Sequence, residues 1–567
     1  MENASLGFKN KILSGALFAL VILFAFSLFK NIQYPLLWND EAEAAMHAGR
    51  VLDYGYPKVH DGKNTVNISN LPAGIGVDEK TDAYLGHVWG QYYFCAAGEF
   101  FARKISDIYV KTAAVRIPFA AIGFMGVVLM ALSVINLFGK RLSDKLLFSV
   151  IFAFFELLSV SLVLHLREVR HYSLAVFLSA AILYLYINYR FARKISLASY
   201  FFLMAAFLFL LFNVFPPTYF IFLAVIGLSE FPGLFRARGV KNFIANISPL
   251  LVSFVASIPI LAFFKIFSSG RGDFTKTFHI SPAVYWMKIA SVLNFFLKYE
   301  FLALVLIVKI VLAFVKLYLR RSGALEGPGQ ENMLRMNVKA QASNFLSLFF
   351  AVYVLAIARL PVFIIYERYY IILQPVLVII LLLDASLAFD YISGANYPAA
   401  MKARLKAVLL SLISVTFILD GSGKLGALKS HIYEISHRYR GPLDFVIPYI
   451  KSNYEKPEKL VIATNYEEYS YMYYLGSKTI IGYGNSDIYN DLEMRPDIIV
   501  FRKAYPDNAY IFNGFLQKDK YKKISFPCFD YPVNNIPELN VALPPHLYKT
   551  RLAENDDERL DVYLKVK

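Results

Sequence analysis

Asp40, Glu41 and Glu43 put three carboxylates within four residues, directly after the first long apolar run of the chain. A carboxylate can serve as general base when an alcohol loses a proton while attacking an electrophilic carbon. Asp40 is the candidate for that task. Glu41 follows by one residue, which on a helix turns it about 100° away, so its expected role is to hold a neighbouring Arg or His. Glu43 and His47 stand at i and i+4 and could pair. A plainer reading stays open beside these: Asn39 or Asp40 could simply cap the Ala-rich helix that follows.

Two further clusters carry charge. Arg167, Glu168, Arg170 and His171 form a dense stretch at the end of an apolar run. On a helix Arg167 and Arg170 would share a face able to bind a phosphate dianion, with His171 beside them and Glu168 as a second acid near the reacting carbon. Glu367-Arg368-Tyr369-Tyr370 is the third cluster, with Pro375 shortly after. A guanidinium offers phosphate oxygens a fixed fork of donors, so Arg368, with Tyr369 next to it, is expected at the phosphate of a leaving group. Arg116, before Ile117-Pro118, could join the same positive site. His87, Arg271 and Arg359 are further candidates. Interfacial girdles of Arg and aromatic residues would also produce such clusters. No His-x-x-x-His pair or acidic ladder marks a metal site, so none is assigned, although carboxylates with His leave a divalent cation open.

These groups must be positioned by a membrane protein. Hydrophobic residues make up 57% of the 567 and charged residues only 18%, and apolar runs of about 18 residues or more recur, enough to cross a hydrocarbon core. The formal charge of +16 would suggest nucleic acid in a soluble chain, but here Lys and Arg gather in short loops between spans, as topology requires. Cys95 and Cys528 cannot make a disulfide framework or a cysteine-rich metal site. The first apolar run is followed by charged sequence and no small-residue cleavage site, and reads as a retained span.

The runs fall at about 12–30, 114–137, 146–164, 172–188, 196–212, 217–233, 243–267, 299–317, 342–358, 369–387 and 406–420. With the N-terminus inside, this 11-span order leaves each short inner loop rich in Lys and Arg. The same order puts the Asp40 corner, the Arg167–His171 stretch, the Arg271 loop and Glu367-Arg368 on one outer side. A large first outer loop, about 31–112, would carry short interfacial helices near 40–53 and 84–104. After about residue 421 the composition changes to that of a soluble domain. It reads as a helix over 428–453, then strands near 460–464, 479–482, 497–501, 523–526 and 560–566 alternating with short helices, a small α/β domain. Two units are thus expected, 1–420 in the membrane and 421–567 outside it. Gly482-Tyr483-Gly484-Asn485 lacks the third glycine and helix of a phosphate-cradling loop.

Trp38-Asn39-Asp40-Glu41, with Met46, Gly55 and Pro57, resembles the first outer loop of the GT-C glycosyltransferases, above all the protein O-mannosyltransferase and aminoarabinose (lipid A) transferase type. The likeness continues in order. His87-Val88-Trp89-Gly90-Gln91-Tyr92-Tyr93 stands where that group has a Pro-Pro-Leu-Tyr-Tyr-like segment, here without the two prolines. Arg116-Ile117-Pro118 is similar to its Arg-Leu-Pro, Arg167-Glu168-Val169-Arg170-His171-Tyr172 to its Arg-Glu-Ala-Arg-x-Tyr, and Arg368-Tyr369 with Pro375 to its late Arg-Tyr…Pro. The resemblance spans about residues 10–390 and implies a polytopic GT-C fold. It implies an enzyme that takes a sugar, hexose or pentose, from a polyprenyl-phosphate carrier at the outer face of a cell membrane. The acceptor would be a hydroxyl of a glycan, lipid or protein. Carried over, Asp40 is the base, Glu168 lies near a second acid, and Arg170 and Arg368 meet phosphate. The rival class is a transporter or flippase of a lipid-linked sugar, for which repeated halves and charges near the midplane would be the signs. Glu156 is the clearest charge deep in a span, and no repeat is visible. A non-catalytic glycan-binding scaffold is a third reading.

Overall fold

A computed structural model describes residues 2–67, 76–235, 239–265, 280–324, 330–360, 366–483, 488–503, 509–530, 537–539 and 546–566. Arg271, and with it the loop around it, lies outside the described residues.

Ten helices among these are long and apolar enough to cross a membrane, from Gly7–Phe29 to Ala399–Ser422. An eleventh crossing is made if the helices Leu142–Leu158 and Val160–Leu166 count as one broken span, bent by 78°. The chain is a multi-pass membrane protein. Sequence periodicity read this broken segment as one straight span. The break has a local cause. Ser159 is extended (φ −79°, ψ 93°) and its hydroxyl accepts from the Leu162 amide, capping the second half as a new helix.

Close helix packing sets the frame of the site. The helices Ile108–Val134 and Tyr172–Arg190 meet through glycines. A Cβ on Gly123 would lie 2.8 Å from Leu166 Cδ2, and one on Gly126 would lie 2.9 Å from the Phe177 backbone. Small residues allow such backbone approach, which the bilayer itself does not drive. Inside the bundle Lys309 reaches Asp384 at 2.8 Å, and the Ser343 hydroxyl donates to the same carboxylate, whereas neither oxygen of the buried Glu156 has a hydrogen-bond partner among the described residues.

Asn39–Tyr54 is a helix, ended by Gly55 at φ +83°, a conformation that costs glycine little. Gly90–Ala102 is a second short helix, shorter than the sequence pattern suggested. The single helix expected over 428–453 is two, Leu425–Ser436 and Leu443–Asn453, interrupted before Gly441-Pro442. Pro442 stands just before the second helix, a place where proline is tolerated, and that helix carries Pro448 inside it.

The C-terminal region holds a five-stranded sheet. Val461–Thr464 pairs in parallel with Lys478–Ile481 on one side and Ile498–Val500 on the other. Arg559–Lys565 then pairs antiparallel with Ile498–Val500 and with Tyr521–Phe529. The alternation and positions match the sequence expectation within a few residues. Against this sheet lies the helix Glu468–Leu475, buried at every residue. It is bound to the membrane unit by its side chains. The Leu37 amide donates to the Tyr474 hydroxyl at 3.0 Å, Ser470 donates to the Leu37 carbonyl at 2.8 Å, and Tyr473 donates to Glu99 at 2.7 Å. One hydrophobic core accordingly joins Leu36, Leu37, Ala44 and Ala45 to Tyr471, Ile462 and Val500.

Candidate active site

The three charged clusters of the sequence converge. Asp40 lies in the first turn of the Asn39–Tyr54 helix. Arg170 Nη2 stands 3.6 Å from Asp40 Oδ2, and Arg368 Nη2 stands 4.0 Å from the same oxygen. Arg170 also donates to the Asp40 carbonyl at 3.1 Å and pairs with Glu43 at 3.2 Å. Arg368 lies over the rings of Tyr366 and Trp38, 4.3 and 5.5 Å from their centres, with Tyr369 at 5.9 Å. The Asp40 side chain is 26% exposed, whereas those of Glu41 and Glu43 are 1% and that of Glu168 is 6%. Of these four carboxylates, Asp40 is the one a substrate can approach.

Glu41 has a different task. It takes both Nε and Nη2 of Arg116, the first at 2.8 Å, and accepts from the Val169 amide at 3.0 Å. The remaining Arg116 nitrogen donates to the carbonyls of Ile32 and Pro35. Glu41 thus holds an Arg, as its position suggested. Arg116, expected among the phosphate contacts, has its donors turned to protein oxygens instead. The pair fastens the Asn39–Tyr54 helix to the Ile108–Val134 helix.

Other expectations change. Residues 167–170 form bends between helices, so Arg167 and Arg170 do not share a helical face. Arg167 turns to the Lys30 carbonyl at 2.9 Å while Arg170 turns to Asp40. Glu43 does not pair with His47. It is met by Arg170 and by the Tyr84 hydroxyl at 2.9 Å, and the His47 ring stacks on Tyr84 and lies tilted against Tyr92. Glu168 meets His165 Nδ1 at 2.6 Å. His171 stacks on Phe215. His87 sits near the Tyr84 ring, and Arg359 lies over Tyr285, 4.1 Å from its centre; neither ring contact involves the Asp40 cluster.

Burial and charge set the protonation of these groups. Burial, and then the Glu41 charge, push the Glu168 carboxyl well above the usual range. Burial, with Arg170 and Arg368 nearby, keeps His171 neutral. Burial works against the Arg368 charge, but Tyr172, Glu538 and Asp40 more than restore it; Arg170 is held in the same way by Asp40 and Glu43. Two fixed cations therefore flank one reachable carboxylate.

A small cavity of roughly 40 Å³ opens beside Trp38, Glu41, Arg167, Glu168, Glu434, Pro537 and His546. Larger cavities of about 430 and 740 Å³ lie around Arg190 and Arg193. Those are at the opposite end of the Tyr172–Arg190 helix from His171, about 28 Å away at 1.5 Å per residue. Glu230, which lines the smaller of the two, is spent on Arg190, Tyr186 and Asn246, and no described residue lining the larger is a carboxylate. Three contributors escaped sequence reasoning. Glu538 stands 3.1 Å from Arg368 Nε. Glu434 accepts from His546 at 2.9 Å; burial raises its carboxyl, but His546 and His431 outweigh that and hold it well below the usual range. His165 ends a short helix, where its type gave no signal. All lie far from Asp40 in sequence and outside any local spacing.

No family model matches the chain, and no curated protein matches it. Solved structures do. ArnT from Cupriavidus metallidurans in the apo state superposes with a TM-score of 0.56 at 10% identity, covering 99% of this chain and 98% of its own. The same protein bound to undecaprenyl phosphate gives 0.52 at 12% identity, with 98% of each chain covered. The chain is a polytopic helical membrane protein with a GT-C fold and a C-terminal sheet region.

Proposed function

We propose that the protein is a glycosyltransferase that moves a sugar from a polyprenyl-phosphate carrier to an acceptor hydroxyl. The observation that carries this is Asp40, a part-exposed carboxylate flanked by the buried guanidiniums of Arg170 and Arg368. The acceptor oxygen bonds to the anomeric carbon as Asp40 takes its proton. The bond from that carbon to the phosphate oxygen breaks, and the polyprenyl phosphate leaves with the electron pair. Arg170 and Arg368 neutralise the phosphate, with Tyr369 and the neutral His171 beside them. Glu41 acts through Arg116, and Glu168 through His165. The likeness to a fold seen with undecaprenyl phosphate supports this donor class. The Lys/Arg-rich short loops support an inner N-terminus in a cell membrane, with the site and the C-terminal region, residues 421–567, outside the cell's interior.

The test is Asp40→Asn, purified alongside the unchanged chain and assayed in vesicles containing a synthetic polyprenyl-phosphate hexose or pentose. Transfer should fall by about 10² or more at unchanged expression. Undiminished transfer would remove Asp40 as base. Movement of the lipid across vesicles without a transfer product would favour the flippase instead.

A further inference from the structure

His165, Glu367 and Glu538 are far apart in the chain, yet each brings one ligand atom within 4.8 Å of the others. All three are buried, at 0%, 3% and 2% exposure. The His165 Nδ1 is engaged by Glu168 at 2.6 Å, while Nε2 has no hydrogen-bond partner. The Glu538 carboxyl lies against the Glu367 carboxyl, and no N–H group donates to either of its oxygens. Arg368 Nε lies 3.1 Å from one of them but is not aligned as a donor. Unsatisfied buried polar atoms are costly, so a bare ring nitrogen facing two carboxyls that lie against each other calls for a partner that accepts lone pairs.

We propose that His165 Nε2, Glu367 and Glu538 bind a divalent first-row transition ion, zinc or manganese. One imidazole and two carboxylates suit those ions better than calcium or magnesium, which take oxygen ligands alone. Glu168 completes the arrangement. A carboxylate on the far nitrogen of a metal-bound imidazole fixes its tautomer and orients it. The three ligands leave a fourth position open, as zinc sites with a bound water do. The ion would also tie three separate segments together: the end of the Val160–Leu166 helix, the turn that carries Arg368, and the Pro537–Leu539 segment of the C-terminal region. That turn is already in contact with the segment through the Leu539 amide, which donates to Glu367.

The site does not depend on the transfer reaction and is tested without it. The full chain, purified in detergent, is stripped with EDTA, dialysed, and reloaded with zinc or manganese. Metal content by mass spectrometry and thermal unfolding are then measured. About one ion per chain and an unfolding midpoint that rises on reloading are expected. Glu538→Gln, close in shape to the original, should lower affinity at least tenfold. Glu168→Gln should lower it by about 10- to 100-fold by loosening the imidazole. Glu434→Gln, in the neighbouring carboxylate–imidazole cluster, should bind as the unchanged chain does. Less than a tenth of an ion per chain after reloading, or undiminished binding by Glu538→Gln, would overturn the site. Neither result bears on Asp40, so failure here is distinguishable from failure of the transferase reading.

Discussion

Asp40 and Glu41 are adjacent, yet their surroundings give them opposite tasks. Asp40 meets two cations at 3.6 and 4.0 Å, and part of it remains accessible. Glu41 is 1% exposed and grips Arg116. Substituting each should separate the tasks. Glu41→Gln leaves the Arg116 charge buried without its counterion, a defect that typically costs about 3–5 kcal/mol. A lowered midpoint in detergent unfolding, larger than that of Asp40→Asn, is the expected outcome. Arg368→Lys keeps the charge but loses the planar fork. It should raise KM for the lipid donor by about tenfold, with a smaller effect on stability, in a vesicle transfer assay. The pairing of Arg170 and Arg368 with Asp40 was legible in the sequence because all three sit at span ends on one expected side. The Glu41–Arg116 pair was half legible, since the helix turn excluded Glu41 from the task of Asp40 but did not name its partner. Glu538, His165 and Glu434 were not legible, because their contacts depend on tertiary closure and no spacing records it.

The elements that present these groups depend on close approach. Gly126 is where the Ile108–Val134 helix, which carries Arg116, lies against the Tyr172–Arg190 helix that begins beside Arg170. A Cβ there would stand 2.9 Å from the Phe177 backbone. Gly126→Ala should therefore force the helices apart and cost roughly 1–3 kcal/mol, read as a lower unfolding midpoint with reduced transfer. The Leu443–Asn453 helix makes a pH-dependent link. Burial pushes the Asp444 carboxyl up to about 7, although the Gly441 amide and Tyr109 hydroxyl oppose the rise. Its folded pKa lies above the unfolded value of 3.8, so between about pH 4 and 7 the folded state binds the extra proton and Asp444 costs stability progressively as pH rises. Above about 7 the cost is constant, of order 4 kcal/mol for ~3 pK units. Asp444→Asn should therefore gain on the unchanged chain as pH goes from 5 to 8, measured as the difference between their midpoints. A helix start just after Pro442 is consistent with the sequence, since proline is tolerated there. The 78° break at Ser159 could not, because a serine inside an apolar run reads the same in a straight helix and at a cap.

At the scale of the whole molecule the C-terminal sheet and the membrane unit share one core, through the Glu468–Leu475 helix. Leu37, Thr112 and Glu99 all take hydrogen bonds from its tyrosines and Ser470 or give them. Two independently stable units would unfold in two steps; the shared core predicts one cooperative transition. Hydrogen exchange should show amides of 468–475 as protected as those of the Asn39–Tyr54 helix, and protection in both should be lost together in denaturant. Composition gave the series of ten to eleven span-length apolar helices and the sheet of the last stretch. It could not show that the junction is a buried tyrosine-rich helix, since the same residues would also suit an interfacial belt.

The convergence of Asp40, Arg170, Arg368 and Glu538 has a consequence in time. A ribosome makes them in that order, and chains fold from the N-terminus as they emerge. A nascent chain inserted as far as Arg170 holds the carboxylate with one cation. The second cation arrives with Arg368, and the segment that covers it arrives with Glu538. A fragment that stops before Arg368 would therefore hold Asp40 beside only one of its two guanidiniums.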